Sequence, residues 1–258
     1  MRPVPSAAFR SIAPDHSGAP LYRQAKRTLL EAIEDGRCPP GRALPAEPTL
    51  AAALGVSVGT LRHAVDELVA DHVLVRHQGR GTFVATHSSD RFLFQFFHVE
   101  DRDGRRELPQ VELLSFERAR LDDEAAAALA LRAGTPAVWI ENLLLLQDRP
   151  VVHDRLALPA SLFKGLTEKR LRERPGTIYQ LYQSDFGITV LRASERARAV
   201  AADRHTARAL RLAPGTPVMQ VKRVAQTFGD RPVEYRVSTI DTHRHDYVHL
   251  ISRPGGNA

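Results

Sequence analysis

The sequence predicts an α+β protein in two parts, a small helical head that ends in a β-hairpin and a larger domain built on an antiparallel sheet. Two observations lead to this division. Residues 19–85 show helical periodicity followed by a hairpin pattern, whereas the chain from residue 92 onward contains an internal repeat of strands and short helices. With 258 residues, of which 43% are hydrophobic, the chain is long enough for two separate cores.

The chain is expected to begin with a flexible lead. Residues 1–18 contain prolines and glycine and show little periodicity. A first helix is then predicted from Pro20 to Asp35, because proline suits a first helical turn and Gly36 supplies a stop. The apolar face of this helix should support the two helices that follow.

The next segment has the spacing of a helix-turn-helix. A short helix is predicted over residues 47–54, and Gly55 permits a tight turn before a third helix. Ser57 can cap that helix by accepting a hydrogen bond from an amide two or three residues later. One apolar stripe is formed by Leu61, Val65, Leu68 and Val69. Thr60 and Arg62 stay on the open face, so the third helix is predicted to recognise DNA.

A β-hairpin follows directly, with strands predicted at residues 73–76 and 82–84. Its tip contains Gln78, Gly79, Arg80 and Gly81. Two glycines let the backbone approach a phosphate closely, and Arg80 supplies positive charge. A solvated turn is the alternative interpretation. Directly after a helix-turn-helix, the hairpin is predicted to be a DNA-binding wing, which completes a winged helix-turn-helix.

Charge and cysteine content limit the class of protein. The net charge of +6 is compatible with a polyanionic partner but does not locate its site. Residues 1–87 hold ten Lys/Arg and eight Asp/Glu, so DNA binding is predicted from placement rather than from bulk charge. The single cysteine, Cys38, excludes an intramolecular disulfide and fits a reducing compartment. The sequence offers neither a signal peptide nor a membrane span, and we expect a cytoplasmic protein without membrane association.

The second domain is predicted from its duplication. A polar linker at residues 86–91 should join the head, residues 19–85, to a domain at residues 92–250, and a flexible tail is expected at 251–258. The recurring segments are residues 116–120 with 194–198, 128–136 with 209–217, and 148–151 with 230–233. Each half is predicted to form a strand, a short helix, a strand, a hairpin and a strand. Such halves build an antiparallel sheet with helices on one side, and their junction favours a ligand cleft.

These motifs together resemble a known family. From Pro20 onward the chain is similar to GntR-type bacterial transcription regulators, in particular the HutC-like branch with a UTRA effector domain. The resemblance is carried mainly by Leu44-Pro45-Ala46-Glu47, Leu54-Gly55-Val56-Ser57, Gln78-Gly79-Arg80-Gly81-Thr82-Phe83-Val84, Gly134-Thr135-Pro136 and Gly215-Thr216-Pro217. It implies a chorismate-lyase-like fold for the second domain. It also implies a ligand-responsive repressor that binds an operator in double-stranded DNA and is released by a small intracellular metabolite; we expect it to act as a homodimer.

The DNA contacts are predicted from these motifs. The candidate residues are Glu47, Ser57, Thr60, Arg62, Gln78, Gly79, Arg80 and Gly81. Two arginines usual in the family are replaced by Pro48 and Val58, and Gly59 replaces a usual hydroxyl residue. Either the operator differs from the common family type, or binding depends more strongly on Arg62 and the wing.

The effector contacts are predicted at polar positions that match the family's pocket. The candidate residues are Asn142, Asp154, Thr177, Tyr179, Arg192 and Glu234. Each taken alone could also be a solvated side chain or a packed ring. The chain has Asn142-Leu143-Leu144 where relatives similar to sugar-phosphate sensors carry an Arg-x-Arg pair. The missing pair favours a neutral or apolar metabolite.

No catalytic residue, cofactor or metal site is predicted. Several potential ligands lie close together near the C-terminus, namely His243, His245, Asp246 and His249, but their spacing fits no closed four-ligand pattern and a solvated tail is expected. Two other functions stay open. The protein could be an enzyme of chorismate-lyase-like fold with an accessory DNA-binding head, although no catalytic motif supports this. It could also bind DNA constitutively without an effector, although the large second domain argues against this.

Overall fold

A computed structural model describes residues 3–12 and 19–249, which fall into two compact units. The N-terminal unit extends to Thr86 and the C-terminal unit begins at His87. Within the described residues, no helix combines the length and the apolar character that crossing a bilayer requires.

The N-terminal unit is the predicted winged helix-turn-helix. Its elements are α1 (Leu21–Glu34), α2 (Glu47–Leu54), α3 (Val58–Ala70), β1 (Leu74–His77) and β2 (Gly81–Val84). Gly55 ends α2 with a φ of 73°, in the left-handed region that glycine adopts without steric strain. Leu29 of α1, Leu54 of α2 and Leu61 of α3 are fully buried, so the three helices share one core.

The described part of the N-terminal lead is ordered, in contrast to the flexible segment expected for residues 1–18. Val4 and Phe9 are buried. The amide of Val4 donates to the carbonyl of Ala43 at 2.9 Å, and the amide of Ile12 donates to the carbonyl of Leu54 at 3.0 Å. Residues 3–12 therefore pack against the helix-turn-helix because they contribute apolar side chains and backbone hydrogen bonds to it. Residues 13–18 and the tail expected at 251–258 lie outside the described residues.

The C-terminal unit contains five helices and eight strands among its described residues. The helices are α4 (Ser89–Gln95), α5 (Asp123–Ala128), α6 (Glu168–Arg172), α7 (Ile178–Phe186) and α8 (Arg204–Leu210). The strands are β3 (Val99–Asp101), β4 (Gln110–Arg120), β5 (Pro136–Leu146), β6 (Arg149–Pro159), β7 (Arg192–Ala201), β8 (Pro217–Gln226), β9 (Pro232–Ile240) and β10 (His245–Tyr247).

Six strands form an antiparallel sheet in the order β4-β5-β6-β9-β8-β7, which confirms the predicted fold class. The two repeats contribute β4-α5-β5-β6 and β7-α8-β8-β9, and the central pair of β6 with β9 joins them. The equivalent helices α5 and α8 are capped by equivalent residues, since Asp122 accepts from the amide of Ala125 and Asp203 from the amide of Thr206. The duplication seen in the sequence is thus a duplication of the fold.

Helices cover both faces of the sheet, whereas one covered side was expected. Alternate residues of β5 face opposite ways, so that Trp139 packs near α5 while Ile140 lies in the core formed with α7. A sheet whose central strands are apolar on both faces must be covered on both. In addition, α4 begins within the expected linker, because Phe92 and Phe96 are buried in the second core.

Candidate DNA interface and effector pocket

The start of α3 is fixed by two of the predicted DNA contacts. Ser57 accepts a hydrogen bond from the amide of Thr60 at 3.1 Å, and the two hydroxyl groups lie 2.9 Å apart. Ser57 is exposed and Thr60 is half-buried. The cap therefore orders the first turn of the recognition helix and leaves the Ser57 hydroxyl at the surface.

Glu47 and Arg62 form an ion pair across the turn between α2 and α3. The Arg62 guanidinium donates to one Glu47 carboxylate oxygen through Nη2 at 2.7 Å and through Nε at 3.1 Å. Arg62 nevertheless keeps 60% of its side-chain surface exposed. Glu47 therefore positions the guanidinium, and Arg62 is the member of the pair that is available to a base edge or a phosphate.

The wing tip is open to solvent at all four predicted positions, Gln78, Gly79, Arg80 and Gly81. Both glycines adopt positive φ angles, 69° at Gly79 and 102° at Gly81, and no atom within 4 Å would meet an added Cβ at either residue. Glycine is thus required by the backbone conformation of the tip. Arg80 forms no ion pair with any described residue, whereas Arg76 in the adjoining strand is paired with Asp66 at 2.7 Å.

The replaced family positions give α3 an apolar first turn. Val58 is 37% exposed and Gly59 is also exposed, while the neighbouring Pro48 lies exposed in the first turn of α2. An exposed valine in the major groove can contact a thymine methyl group but cannot donate hydrogen bonds to guanine. The open face of the recognition helix therefore combines one cation with apolar surface.

A cavity of about 280 Å³ lies in the C-terminal unit, where β5 and β6 of the first repeat meet β9 of the second next to the start of α7. Its polar lining includes Asn142, Asp154, Arg174, Thr177 and Arg236. Its apolar lining includes Phe92, Leu108, Val111, Leu144 and Ile178. The cavity has the mixed lining of a small-molecule site, in which a few polar groups orient a largely apolar contact surface.

Three of the six predicted effector contacts line this cavity. Asn142 and Asp154 are directly paired across β5 and β6, and both are buried. Thr177 caps α7 by accepting from the amide of Gln180 at 3.2 Å. The cavity is therefore bordered by polar groups on the sheet and by the start of a helix, where amide groups give a positive partial charge.

Two further candidates, Tyr179 and Glu234, do not line the cavity but form a buried network next to it. The Tyr179 hydroxyl donates to Glu234 at 3.1 Å and the Tyr182 hydroxyl donates to the other Glu234 oxygen at 2.7 Å. Glu234 is fully buried, and burial raises the pKa of Tyr179 to about 12. Arg236 donates to both Glu234 oxygens, at 3.0 and 3.1 Å, and to Asp154 at 3.1 Å. The network therefore connects Glu234 to the cavity through Arg236.

The remaining candidate, Arg192, lies away from this cavity. Arg192 is the first residue of β7, an edge strand of the sheet, and its side chain is exposed and paired with Asp230 at 2.6 Å. It does not belong to the cavity lining, which is formed at β5, β6 and β9. The pair of Arg192 with Asp230 is therefore an ordinary ion pair on the surface.

The sequence analysis missed two cations of the cavity, Arg174 and Arg236. Arg236 lies two residues after Glu234 on the same strand. Because alternate residues of a strand point to the same face, the position of Arg236 beside Glu234 was predictable from the sequence. Arg174 precedes α7 and carried no comparable signal. Burial lowers the pKa of Arg174, and this residue forms no ion pair with a carboxylate of the described chain. The cavity thus has cations although the Arg-x-Arg pair is absent at 142–144, which removes the basis for favouring a neutral ligand.

Three buried polar atoms at the cavity have no hydrogen-bond partner within the described chain. They are Asn142 Oδ1, Asp154 Oδ1 and Arg174 Nε. Leaving a buried polar group unpaired costs about 1–3 kcal/mol, so such groups are usually paired with water or a ligand. The first two require a donor and the third requires an acceptor. The cavity is therefore complementary to a molecule that carries both.

The C-terminal histidines do not converge. His243 contacts Asp241 at 2.6 Å, while His245 is buried in β10 rather than solvated as expected. Among the described residues, the potential metal-binding atoms that converge belong to Glu141, His153 and His205 instead, all within 4.8 Å of one another. Glu141 and His153 come from the consecutive strands β5 and β6, whereas His205 comes from α8 in the second repeat.

Comparison with known proteins agrees with this architecture. Residues 21–84 match the model of the bacterial regulatory proteins of the gntR family, and residues 104–246 match the UTRA domain. The chain is 27% identical over 238 residues to the HTH-type transcriptional repressor NagR of Bacillus subtilis. This match covers 92% of this chain and 97% of NagR. It is 36% identical over 135 residues to the histidine utilization repressor of Pseudomonas putida, covering 51% of this chain and 54% of the relative. Among solved structures, the ligand-binding domain of a GntR-family transcriptional regulator from Bordetella bronchiseptica matches with a TM-score of 0.58 and 35% identity, over 62% of this chain and 99% of that one.

Proposed function

The chain belongs to the gntR family of bacterial regulatory proteins and carries a UTRA domain, and from this premise we propose that it is a transcriptional repressor controlled by a small metabolite. Its partners are operator DNA, bound by the winged helix-turn-helix, and an effector, bound by the UTRA domain. The protein acts where the DNA is, in the bacterial cytoplasm.

The family is one of regulators, which argues against the alternative of an enzyme with an accessory DNA-binding head. The alternative of a constitutive DNA-binding protein is disfavoured by the cavity. Three residues that line it, Asn142, Asp154 and Arg174, each have a buried polar atom without a hydrogen-bond partner in the described chain. A protein that only coats DNA has no need for such a site, whereas a sensor requires one.

We assign the predicted DNA contacts to two roles. Arg62, held by Glu47 and exposed, is placed to read a base edge from the recognition helix, and Val58 supports it with apolar contact. Arg80 at the glycine-rich wing tip is placed to contact a phosphate. Ser57 and Thr60 keep the first turn of α3 in place for both contacts.

The protein binds its operator as a homodimer with two-fold symmetry. One recognition helix reads only a few base pairs, so two heads about one helical turn apart supply the specificity that a promoter requires. Sedimentation velocity of the full chain tests the dimer, and a footprint on an operator selected from random duplexes tests the symmetry. A monomer protecting an unsymmetrical site would contradict the proposal.

The effector carries an anionic group and, on another part of the molecule, a hydrogen-bond donor. Arg174 lies at the cavity without a carboxylate partner, close to the start of α7, and both favour an anion. Asn142 and Asp154 offer unpaired acceptor oxygens, and these favour a hydroxyl or amino group. The volume of about 280 Å³ restricts the effector to a small metabolite.

The effector changes operator affinity only if it binds two conformations of the protein with different affinity. We propose that the effector causes release of the DNA, as expected for a repressor that a metabolite controls. When operator DNA is titrated onto the protein, release by the effector would appear as a higher DNA concentration at half-saturation in the presence of effector.

The proposal is tested on the full chain with small carboxylates, phosphates and their uncharged analogues. We expect carboxylates or phosphates that bear a hydroxyl or amino group to raise the melting temperature of the wild-type protein, and Arg174→Met to abolish this shift. Arg172→Met is the matched control, because Arg172 is exposed and paired with Glu168 at 2.7 Å. If only uncharged compounds stabilise the protein, the anion assignment is wrong. If a stabilising compound leaves operator affinity unchanged, the sensor function is wrong.

A further inference from the structure

We propose that Glu141, His153 and His205 form a binding site for a divalent transition-metal ion, with Zn²⁺ as the best-suited ion. The site lies on the face of the sheet that carries α8 and is separate from the effector cavity. It is distinct from the C-terminal histidines, and its existence does not depend on the proposed function.

The three ligand atoms are already close to a metal-binding arrangement. Glu141 Oε2 lies 3.2 Å from His205 Nε2 and 3.9 Å from His153 Nε2, and all three atoms lie within 4.8 Å of one another. Ligands on a tetrahedral zinc ion, with bonds of about 2.0–2.1 Å, are separated by about 3.3 Å. The Glu141–His205 distance already matches this separation, whereas the 3.9 Å between Glu141 Oε2 and His153 Nε2 would have to shorten on metal binding.

The buried histidine supplies the observation that points to a ligand. His153 is only 6% exposed, and its Nε2 atom has no hydrogen-bond partner among the described residues although it points toward Glu141 and His205. An unpaired buried ring nitrogen is costly, and a metal ion coordinated by its lone pair would remove this cost.

The donor set selects the class of ion. Two imidazoles and one carboxylate suit Zn²⁺ and its neighbours in the first transition series, whereas Mg²⁺ and Ca²⁺ prefer oxygen ligands alone. Three protein ligands leave a fourth position for water or an exogenous ligand. The exposed His205 keeps this position accessible from solvent.

The fold holds the three ligands in place. Glu141 and His153 lie on the neighbouring strands β5 and β6, and His205 lies in the first turn of α8, which Asp203 caps through the amide of Thr206 at 2.7 Å. A bound ion therefore joins α8 to the centre of the sheet. Their neighbours in sequence, Asn142 and Asp154, point to the opposite face and line the effector cavity.

The test uses the full chain without an affinity tag, freed of metal by chelator. Co²⁺ is titrated first because its visible absorption reports a four-coordinate site, and Zn²⁺ is then used to displace it. We expect one strong site per chain that an excess of Mg²⁺ does not affect. No saturable Co²⁺ or Zn²⁺ binding by the wild-type protein would overturn the proposal.

Variants locate the site. His205→Asn should weaken binding at least about tenfold, the lower end of what changes around a metal site cost, and it should not impair folding because His205 is exposed. Glu141→Gln should act in the same direction. His243→Asn is the matched control, since His243 is exposed and next to Asp241 but distant in the fold. Unchanged binding by the folded His205→Asn variant, or equal loss in His243→Asn, would refute the assignment.

Discussion

The buried network behind the effector cavity is expected to contribute strongly to the free energy of unfolding. Arg236 is the cation that contacts two buried carboxylates, Glu234 with no exposed surface and Asp154 with 1% exposed. Arg236→Met leaves both carboxylates without this counter-ion. Removing one partner of a buried ion pair typically costs about 3–5 kcal/mol, and we expect a loss of about 4 kcal/mol in the free energy of unfolding.

The companion variant Asp154→Asn should be far milder. An asparagine keeps one acceptor oxygen for Arg236, and Arg236 keeps both contacts to Glu234. We expect a cost of about 1 kcal/mol, typical of one altered hydrogen bond. A surface control, Arg198→Met, removes only contacts to Gln220 from an exposed side chain and should change stability by less than about 0.5 kcal/mol.

The single tryptophan provides the assay in the full chain. Trp139 lies in β5 of the C-terminal unit, donates to the carbonyl of Arg120 at 3.2 Å, and has the Arg155 guanidinium 4.1 Å from its ring. Its fluorescence during urea unfolding therefore reports on this unit rather than on the head. If Arg236→Met destabilises the protein no more than Asp154→Asn does, Arg236 is not needed as the counter-ion of the two buried carboxylates. That result would refute the proposed role of Arg236 in stability.

Three other predictions concern pH, DNA and the lead. Burial lowers the pKa of His98 from 6.5 to about 4, so the unfolded chain binds more protons than the folded chain between these values, and stability should fall as pH drops through this window. His98→Gln should flatten this pH dependence of the free energy of unfolding, measured with urea. Arg62→Ala should reduce discrimination between operators, whereas Arg80→Ala should weaken all duplexes similarly and reduce the slope of log affinity against log salt by about 0.9. Equal salt slopes for the two variants would contradict their separate roles. Phe9→Ala should cost about 3 kcal/mol in the head, measured by thermal melting, and no change would mean that the lead does not pack.

The head was predictable because its signals are local. Ser57 lies three residues before the amide it caps, and Gly55 lies at the turn that needs a positive φ. The duplicated segments likewise predicted the sheet, since each repeat is one strand–helix–strand unit. By contrast, α4 was not predicted, because its polar first residues resemble a linker. The helix is stabilised by the packing of Phe92 and Phe96 against residues distant in the sequence.

The cavity was only partly predictable because it is assembled from distant segments. Asn142 and Asp154 matched positions of the family pattern, but nothing local identifies Arg174 as the cation that faces them. The position of Arg192 away from the cavity could not be predicted, because alignment to a pattern does not say which edge of the sheet a strand occupies. The Glu141–His153–His205 cluster spans more than sixty residues of sequence and exists only through strand register and the position of α8. The cavity cations Arg174 and Arg236 were not predicted for the same reason.

Strands β5 and β6 present different chemistry on their two faces, and this links the two sites that we propose. Glu141 and His153 face α8, while the adjacent Asn142 and Asp154 face the effector cavity. The two sites therefore share the backbone of the same two strands. Because binding linkage is reciprocal, any factor by which Zn²⁺ changes the affinity for an anionic effector must equal the factor by which the effector changes the affinity for Zn²⁺. Zinc affinities measured with and without the stabilising carboxylate therefore decide whether the sites are coupled or independent.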